Sequence, residues 1–195
     1  MDKVTSEGVG AFYHHCPGIA AVVTAHAGGR DNAMAAAWHM PISSKPPLYG
    51  VAVSPKRFTY QLILDSKEFG INFLPAEEAE LVASVGGSKG KEMDKFQAFK
   101  IKKDNPVKTA VPILKSAYAA YECQLVDDRL YGDHRLLVGE VVAVHYLEEA
   151  FIEDETLDLA RVSPVLYLGN EHYLDISEYA VRTLDREFCA SCLKA

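Results

Sequence analysis

The 195-residue chain has only four cysteines, a single tryptophan and no long apolar run. Cys16, Cys123, Cys189 and Cys192 are too few and too scattered for a disulfide framework in a chain of this length, and they fit a reducing compartment. No segment approaches the roughly 20 consecutive apolar residues that span a bilayer, and Met1–Val4 leads into polar residues instead of an apolar signal segment. We therefore expect a cytoplasmic protein that does not enter a membrane.

Basic residues are also in the minority, because 20 lysines and arginines stand against 27 acidic residues and give a formal net charge of −7. This balance argues against nucleic acid or an anionic membrane as the partner of the whole surface. The histidines do not stand at metal-ligand spacings with cysteines or carboxylates, so we expect no metal. The length and the 49% apolar content suit one core. We expect a single domain over 1–195, with its core at about 12–175 and a C-terminal tail beyond.

Strand patterns outnumber helical ones along the chain. Two apolar runs, 19–25 and 32–38, flank Gly28-Gly29-Arg30-Asp31, which is typical of a hairpin. Period-two patterns and breaker residues predict further strands at 48–53, 68–74, 119–125 and 135–147, and helices at 59–64 and 76–84, the second ended by Gly86-Gly87. The lysine-rich interval 89–108 is predicted to be a loop. The fold class is therefore mainly β with small helices, and a barrel fits better than a doubly wound sheet.

The segment Ser54-Pro-Lys-Arg-Phe-Thr59 brings two cations and two hydroxyls to a predicted helix start, directly after a strand. Free N–H groups and the dipole at a helix N-terminus attract an anion. Arg57 can hold phosphate oxygens in a fork, while the hydroxyls of Ser54 and Thr59 donate to them. We interpret the segment as a phosphate site. The alternative is an ordinary capped turn with solvated charges.

A wider set of segments resembles a known family. The resemblance is carried by Asn32–Ser43, Lys45–Tyr60, Glu68–Asn72, Phe12–His15, Lys91–Phe96 and Gly132–His134, and it covers roughly 12–144. These segments resemble the flavin-reductase-like, FMN-binding split-barrel family, to which flavoredoxins belong. The resemblance implies an FMN-binding split β-barrel that forms a homodimer, with each FMN site completed by both subunits.

The resemblance also implies which residues contact the cofactor. They are Asn32, Ala36, Ala37, Trp38, His39, Ser54, Pro55, Arg57, Thr59, Ser88 and Lys91. The FMN phosphate would lie on the Ser54–Thr59 turn and the ring edge along the Ala36–His39 strand, where small side chains let backbone groups approach the flavin. Trp38 either packs beside the ring or is a buried core indole.

His134 is the catalytic candidate, because its position in the family lies near the flavin where a nicotinamide stacks. It would orient the donor or favour an anionic reduced flavin. The alternative is a histidine that merely begins a strand. Ser88 and Lys91 are candidates for FMN or for an incoming nicotinamide dinucleotide. The stretch Gly86–Lys91 is not a P-loop, since Glu92 stands where that motif needs Ser or Thr.

Two functions fit these residues. One is an NAD(P)H-dependent flavin reductase that transfers a hydride to FMN, and the other is a flavoredoxin-type electron carrier that holds FMN tightly and serves a redox partner protein. The absence of a Gly-x-Gly-x-x-Gly motif mildly favours the carrier. The pyridoxamine-phosphate-oxidase branch of split barrels is more distant, because it lacks the Trp38-His39 pattern. Cys189-Ala-Ser-Cys192 is a redox dithiol or, more in keeping with its place near the chain end, part of a tail.

Overall fold

The structure is a computed structural model that describes residues 3–174 and Ile176. Cys189 and Cys192 lie outside the described residues. The described strands are β1 Gly18–Ile19, β2 Ala21–Ala27, β3 Arg30–Ala36, β4 His39–Ser44, β5 Pro47–Val53, β6 Glu68–Phe73, β7 Lys103–Asp104, β8 Ile113–Leu114, β9 Ala119–Tyr131, β10 His134–Tyr146, β11 Leu166–Gly169 and β12 His172–Leu174. The α-helices are α1 Phe58–Ser66, α2 Ala79–Gly87 and α3 Lys95–Ala98, and 3₁₀ turns cover Ala76–Glu78 and Glu148–Ala150.

Seven strands form one antiparallel sheet in the order β3-β2-β6-β9-β10-β5-β4. The predicted first hairpin is confirmed, since β2 pairs with β3 from Ala27 opposite Arg30 to Ala21 opposite Ala36. Gly28 and Gly29 form its turn with φ of 58° and 75°, a backbone region that glycine adopts without strain. The mainly β architecture with small helices is as predicted. None of the helices in the described part of the chain is long and apolar enough to span a bilayer.

Two apolar clusters lie on opposite sides of β2. Val23 on one face packs in a cluster that includes Phe69 and Leu137, whereas Val22 on the other face packs with Leu74 and the residues under α2. A strand buried on both faces needs apolar side chains at both alternating positions, which explains the unbroken apolar run of β2. The second cluster fixes α2 against the outer side of β2 and β3.

Several predicted boundaries need correction. The strand predicted over 32–38, with its continuation to His39, is broken, because β3 ends at Ala36 and the chain bends at Ala37 and Trp38 before β4 begins. The bend is where the chain changes partner from β2 to β5, and the Ala52 N–H then donates to the Trp38 carbonyl at 2.9 Å. The short strands β1, β11 and β12 carry too few residues for a periodic signal.

The lysine-rich interval and the helix before it also differ from expectation. The helix α2 continues through Gly86 and ends at Gly87, with Ser88 as its C-cap. Gly86 is packed closely on β3, since an added Cβ would lie 3.2 Å from that of Ala35, so a small residue is needed inside the helix there. The interval predicted as a loop contains α3 and β7.

Glu122 on β9 is fully buried and fixes the segment 107–109 to the sheet. Its carboxylate accepts hydrogen bonds from the N–H groups of Val107, Lys108 and Thr109 at 2.7 to 2.9 Å, and His145 Nε2 lies 2.7 Å away. Burial alone would raise the pKa of Glu122, but these bonds outweigh it and lower the pKa to about 2. The native fold therefore binds the ionised carboxylate.

We expect Glu122→Gln to lower the free energy of unfolding by about 1–3 kcal/mol, because an amide cannot accept all these donors. Since the native pKa of Glu122 is below its usual value, its contribution is present above about pH 4.5 and is lost as the pH falls towards 2. Urea unfolding at about pH 5 and about pH 3 should show a flatter pH dependence in the variant. Glu140→Gln, at an exposed site on β10, is the control. Parallel losses in the wild type and the Glu122 variant would contradict this role.

Candidate functional site

A cavity of about 480 Å³ opens where β3, the start of α1 and the segment 85–95 meet. Its lining residues are Asn32, Met34, Ser54, Lys56, Arg57, Phe58, Thr59, Val85, Gly86, Ser88, Lys89, Gly90, Lys91, Glu92, Lys95 and His134. Seven residues predicted from the sequence are thus brought together: Asn32, Ser54, Arg57, Thr59, Ser88, Lys91 and His134. This cavity is the candidate functional site.

The N-terminus of α1 opens into the cavity without a side-chain cap. The helix begins at Phe58, its N-cap Arg57 makes no side-chain capping bond, and no acidic residue lies in the first turn. Thr59, where the helix was predicted to begin, is its second residue, and its hydroxyl oxygen accepts from Asn32 Nδ2 at 2.8 Å. The Thr59 hydroxyl therefore keeps its own proton for a ligand. Uncapped N–H groups and a positive dipole end favour an anion here.

Lys95 also lines the cavity, although the sequence analysis did not single it out as a candidate. Its side chain is buried, and Nζ donates to the carbonyl oxygens of Ala33 at 2.9 Å and Val85 at 2.6 Å. Burial, together with the charge of Arg57, lowers the pKa of Lys95 to about 8. An ammonium has three N–H donors, and no carboxylate of the described residues pairs with Lys95. An anion in the cavity would supply the missing negative charge.

Lys95 lies in the segment Lys91–Phe96 that carries part of the family resemblance, which is the signal that could have drawn attention to it. Among seven lysines between positions 89 and 108, however, its charge alone does not distinguish it. A lysine-rich interval is usually solvated, and only the folded chain shows that this one ammonium is buried.

The segment carrying Lys89 and Lys91 is held in place by its neighbours. Gly90 lies so close to Asn32 that an added Cβ would stand 2.2 Å from Asn32 Oδ1. The guanidinium of Arg30 donates to the Gly90 carbonyl, and its carbon lies 4.6 Å from the centroid of the Phe58 ring. The two lysines therefore flank a glycine that is fixed against the cavity wall.

Ser88, the C-cap residue of α2, donates its hydroxyl proton to the Ser84 carbonyl at 2.7 Å. That side chain already has an acceptor, so a ligand would meet the Ser88 oxygen lone pairs or its backbone more readily than its proton. Ser88 therefore lines the site without being its main donor.

A second cavity, of about 610 Å³, continues along the outer edge of β3. Gly86 lines both cavities, and the predicted residues Ala36 and Ala37 lie in the second together with Ala35. β3 is the last strand of the sheet, so its outer N–H and C=O groups have no strand partner. Because Lys95 reaches the Ala33 carbonyl from this side, alternation along the strand also directs the backbone groups of Ala35 outwards. Small side chains leave these groups accessible.

Trp38 lies at the rim beside His134. The indole is 42% exposed, and its ring centroid lies 4.9 Å from that of His134 and 5.9 Å from that of Phe12. The alternative of a buried core indole is therefore wrong. His134 is the first residue of β10, and its Nδ1 lies 2.8 Å from Asp133 Oδ1, a hydrogen bond that lowers the pKa of Asp133. His134 thus links the cavity to an exposed aromatic face.

Three predicted residues line neither cavity: Trp38, described above, His39 and Pro55. His39 lies between the Tyr49 hydroxyl at 2.7 Å and the Ile19 carbonyl at 3.0 Å, and burial lowers its pKa. Pro55 lies in the exposed turn before α1 and lines neither cavity. The described residues also contain no cluster of three or more His, Cys, Asp or Glu side chains able to hold a metal ion.

Comparison with known proteins assigns the chain to a family. The profile of the family described as "Flavin reductase like domain" matches residues 13–177. The chain therefore belongs to the flavin-reductase-like family.

Solved structures agree on the fold. The FMN-binding protein of Thermus thermophilus, solved with bound 1-cyclohex-2-enone, is 37% identical and superposes with a TM-score of 0.81 over 93% of this chain and 100% of that one. A flavoredoxin from Methanosarcina acetivorans is 23% identical, with a TM-score of 0.82 over 97% of this chain and 100% of that one. The fold is the split barrel, as predicted.

The chain is also similar in sequence to several curated proteins. A ferric-chelate reductase (NAD(P)H) from Archaeoglobus fulgidus is 31% identical over 144 residues, which cover 73% of this chain and 83% of the relative. The chain covers between 58% and 74% of the length of three uncharacterized archaeal relatives. These matches agree with the family assignment.

Proposed function

We propose that this chain binds FMN and acts as an NAD(P)H-dependent flavin reductase. The observation that carries the proposal is that the buried ammonium of Lys95, without a carboxylate partner among the described residues, lines the same cavity as the uncapped N-terminus of α1. Such a site requires an anion, and the phosphate of a flavin mononucleotide supplies one. The similar protein of Thermus thermophilus is an FMN-binding protein, which supports this ligand.

The residues present fit each part of FMN. Arg57, Lys95 and the Thr59 hydroxyl would hold the phosphate, with Asn32 fixing Thr59. The outward backbone groups near Ala35 would meet the polar edge of the ring. When bound, FMN supplies two-electron acceptance and one-electron release. The protein holds the cofactor and provides N–H groups and cations that favour negative charge on it.

His134 and Trp38 form the exposed face that a donor would approach. Their rings are in contact at the cavity rim, and the Asp133 carboxylate is hydrogen bonded to His134 Nδ1. This bond holds the imidazole in one orientation. We assign the pair to positioning a nicotinamide against the flavin, since hydride transfer itself needs no protein base.

The flavoredoxin-type carrier is the second candidate function. It is favoured by the absence of a Gly-x-Gly-x-x-Gly motif, because a dinucleotide would have to bind at the flavin surface without a separate nucleotide-binding unit. The reductase is favoured by the name of the Archaeoglobus relative and by the open Trp38 face. In the carrier, that face would contact a redox partner protein instead.

We also propose that the chain forms a homodimer through β4, β5 and β10. β4 is the other edge of the sheet, and its Met40 and Ile42 are 51% and 41% exposed. Beside it lies a mainly apolar groove of about 570 Å³ that is lined by Leu48, Tyr121 and Val144. An apolar edge strand next to an apolar groove is suited to a second copy of the same chain. The dimer is also what the family resemblance implies.

The test of the proposed function is an anaerobic absorbance titration of the purified protein. A band at about 450 nm, retained on desalting or restored by added FMN, would show the flavin. Rapid bleaching with NADH or NADPH supports the reductase, whereas a flavin that binds but stays oxidised supports the carrier. A protein that binds no flavin at all would disprove the proposal.

We expect FMN affinity to depend on the protonation of Lys95. The pKa of this ammonium is about 8 in the free protein, and a phosphate beside it raises that pKa, so affinity should fall as the pH rises through 8. From linkage, the dissociation constant should be about tenfold larger at pH 9 than at pH 7. Fluorescence titration with FMN measures it. Lys95→Met should bind more weakly with a flat profile, and Lys102→Met, an exposed site outside the cavity, should behave like the wild type.

Light scattering on the purified protein should give about twice the chain mass of 21.4 kDa if the dimer forms. Met40→Glu places a charge in the proposed interface and should shift the mass towards the monomer. Val4→Glu, at a 95% exposed position outside this face, serves as the matched control. A wild-type protein that is monomeric at all accessible concentrations would contradict the dimer.

A further inference from the structure

The first cavity carries more positive charge than FMN requires. Five cations line it, Lys56, Arg57, Lys89, Lys91 and Lys95, against the single carboxylate of Glu92. Glu92 is paired with Lys89 at 3.1 Å. A phosphate monoester carries about 1.5 to 2 negative charges at pH 7, which Arg57 and Lys95 balance. Lys56 and Lys91 then remain, and neither is paired with a carboxylate of the described residues.

This surplus contrasts with the rest of the molecule. The chain as a whole has a formal net charge of −7, so a local excess of cations around one concave opening is a departure from its average surface. Charges of one sign that line a cleft focus the field there and attract ligands of the opposite sign. The second ligand of this site is therefore expected to be an anion.

The two unpaired lysines lie on different walls of the opening. Lys91 follows Gly90, which is fixed by Asn32 and Arg30. Lys56 precedes the N-cap of α1, and its charge, after the larger effect of the His134 hydrogen bond, contributes to the lowered pKa of Asp133. Lys56 is thus near the face where a nicotinamide would approach. An anion bound between these two walls would lie next to the proposed FMN phosphate site and beside His134.

We propose that Lys56 and Lys91 bind the phosphates of the dinucleotide donor and make the protein selective for NADPH over NADH. This inference rests on the proposed FMN reductase function. Both dinucleotides carry a pyrophosphate, but the 2′-phosphate of NADPH adds about 1.5 to 2 further negative charges. Lysines suit this task because each ammonium is a flexible point charge that attracts phosphate without needing a fixed fork geometry.

The proposed reaction is a hydride transfer from NADPH to FMN. NADPH would give up a hydride, which carries two electrons and one proton, to FMN held by Arg57, Lys95 and Thr59, and the products would be NADP⁺ and anionic reduced FMN, so that no further proton is needed. NADP⁺ then leaves. The lysines take no part in this transfer, so they are binding and specificity residues rather than catalytic ones.

The test is isothermal titration calorimetry of the FMN-loaded protein with NADP⁺ and, separately, NAD⁺. Oxidised dinucleotides cannot reduce the flavin, so the heat reports binding alone. We expect the wild type to bind NADP⁺ at least about tenfold more tightly than NAD⁺, and this ratio to fall as salt rises. Lys56→Ala and Lys91→Ala should each weaken NADP⁺ by about five- to tenfold while changing NAD⁺ less. Lys102→Ala removes the same charge outside the cavity and should change neither.

The FMN content of each variant distinguishes a loss of dinucleotide binding from a loss of FMN binding. The flavin absorbance band of every variant, at about 450 nm, is measured first. A variant that retains this band has an intact FMN site. Equal binding of the two dinucleotides, or a ratio that survives in the Lys56→Ala/Lys91→Ala double variant, overturns the inference and leaves FMN binding in place. Failure to bind FMN would overturn both.

Discussion

The candidate site depends on one buried ammonium. Lys95 joins three elements, because it projects from α3 and donates to carbonyl groups of β3 and α2. A buried lysine without a carboxylate is energetically unfavourable, and two carbonyl dipoles compensate for only part of the lost hydration. The lowered pKa of the group reflects that imbalance. A bound anion would compensate for the remaining cost of burying the ammonium. The contact of Lys95 with both cavity walls therefore also favours the binding of a phosphate.

The sequence predicted most of the fold and about half of the site geometry. The hairpin of β2 and β3 was evident because apolar runs flank a glycine turn, and the Ser54–Thr59 turn was evident because cations and hydroxyls follow a strand. The burial of Lys95 against Ala33 and the contact of Gly90 with Asn32 were not evident from the sequence. Each joins residues about 60 positions apart. The break at Trp38 was hidden because β3 and β4 follow each other with no turn residue between them.

The position of the site at a sheet edge has a physical cause and a consequence. An unpaired edge strand is normally a risk for aggregation, and here α2 and α3 cover only part of β3. Lys95 satisfies the Ala33 carbonyl, whereas the backbone groups of Ala35 open into the second cavity. A ligand that binds along this edge would supply the hydrogen-bond partners that a further strand would otherwise provide. A ligand that binds only the folded chain stabilises it by an amount that grows with the logarithm of the ligand concentration over its dissociation constant, so the proposed cofactor would also protect β3.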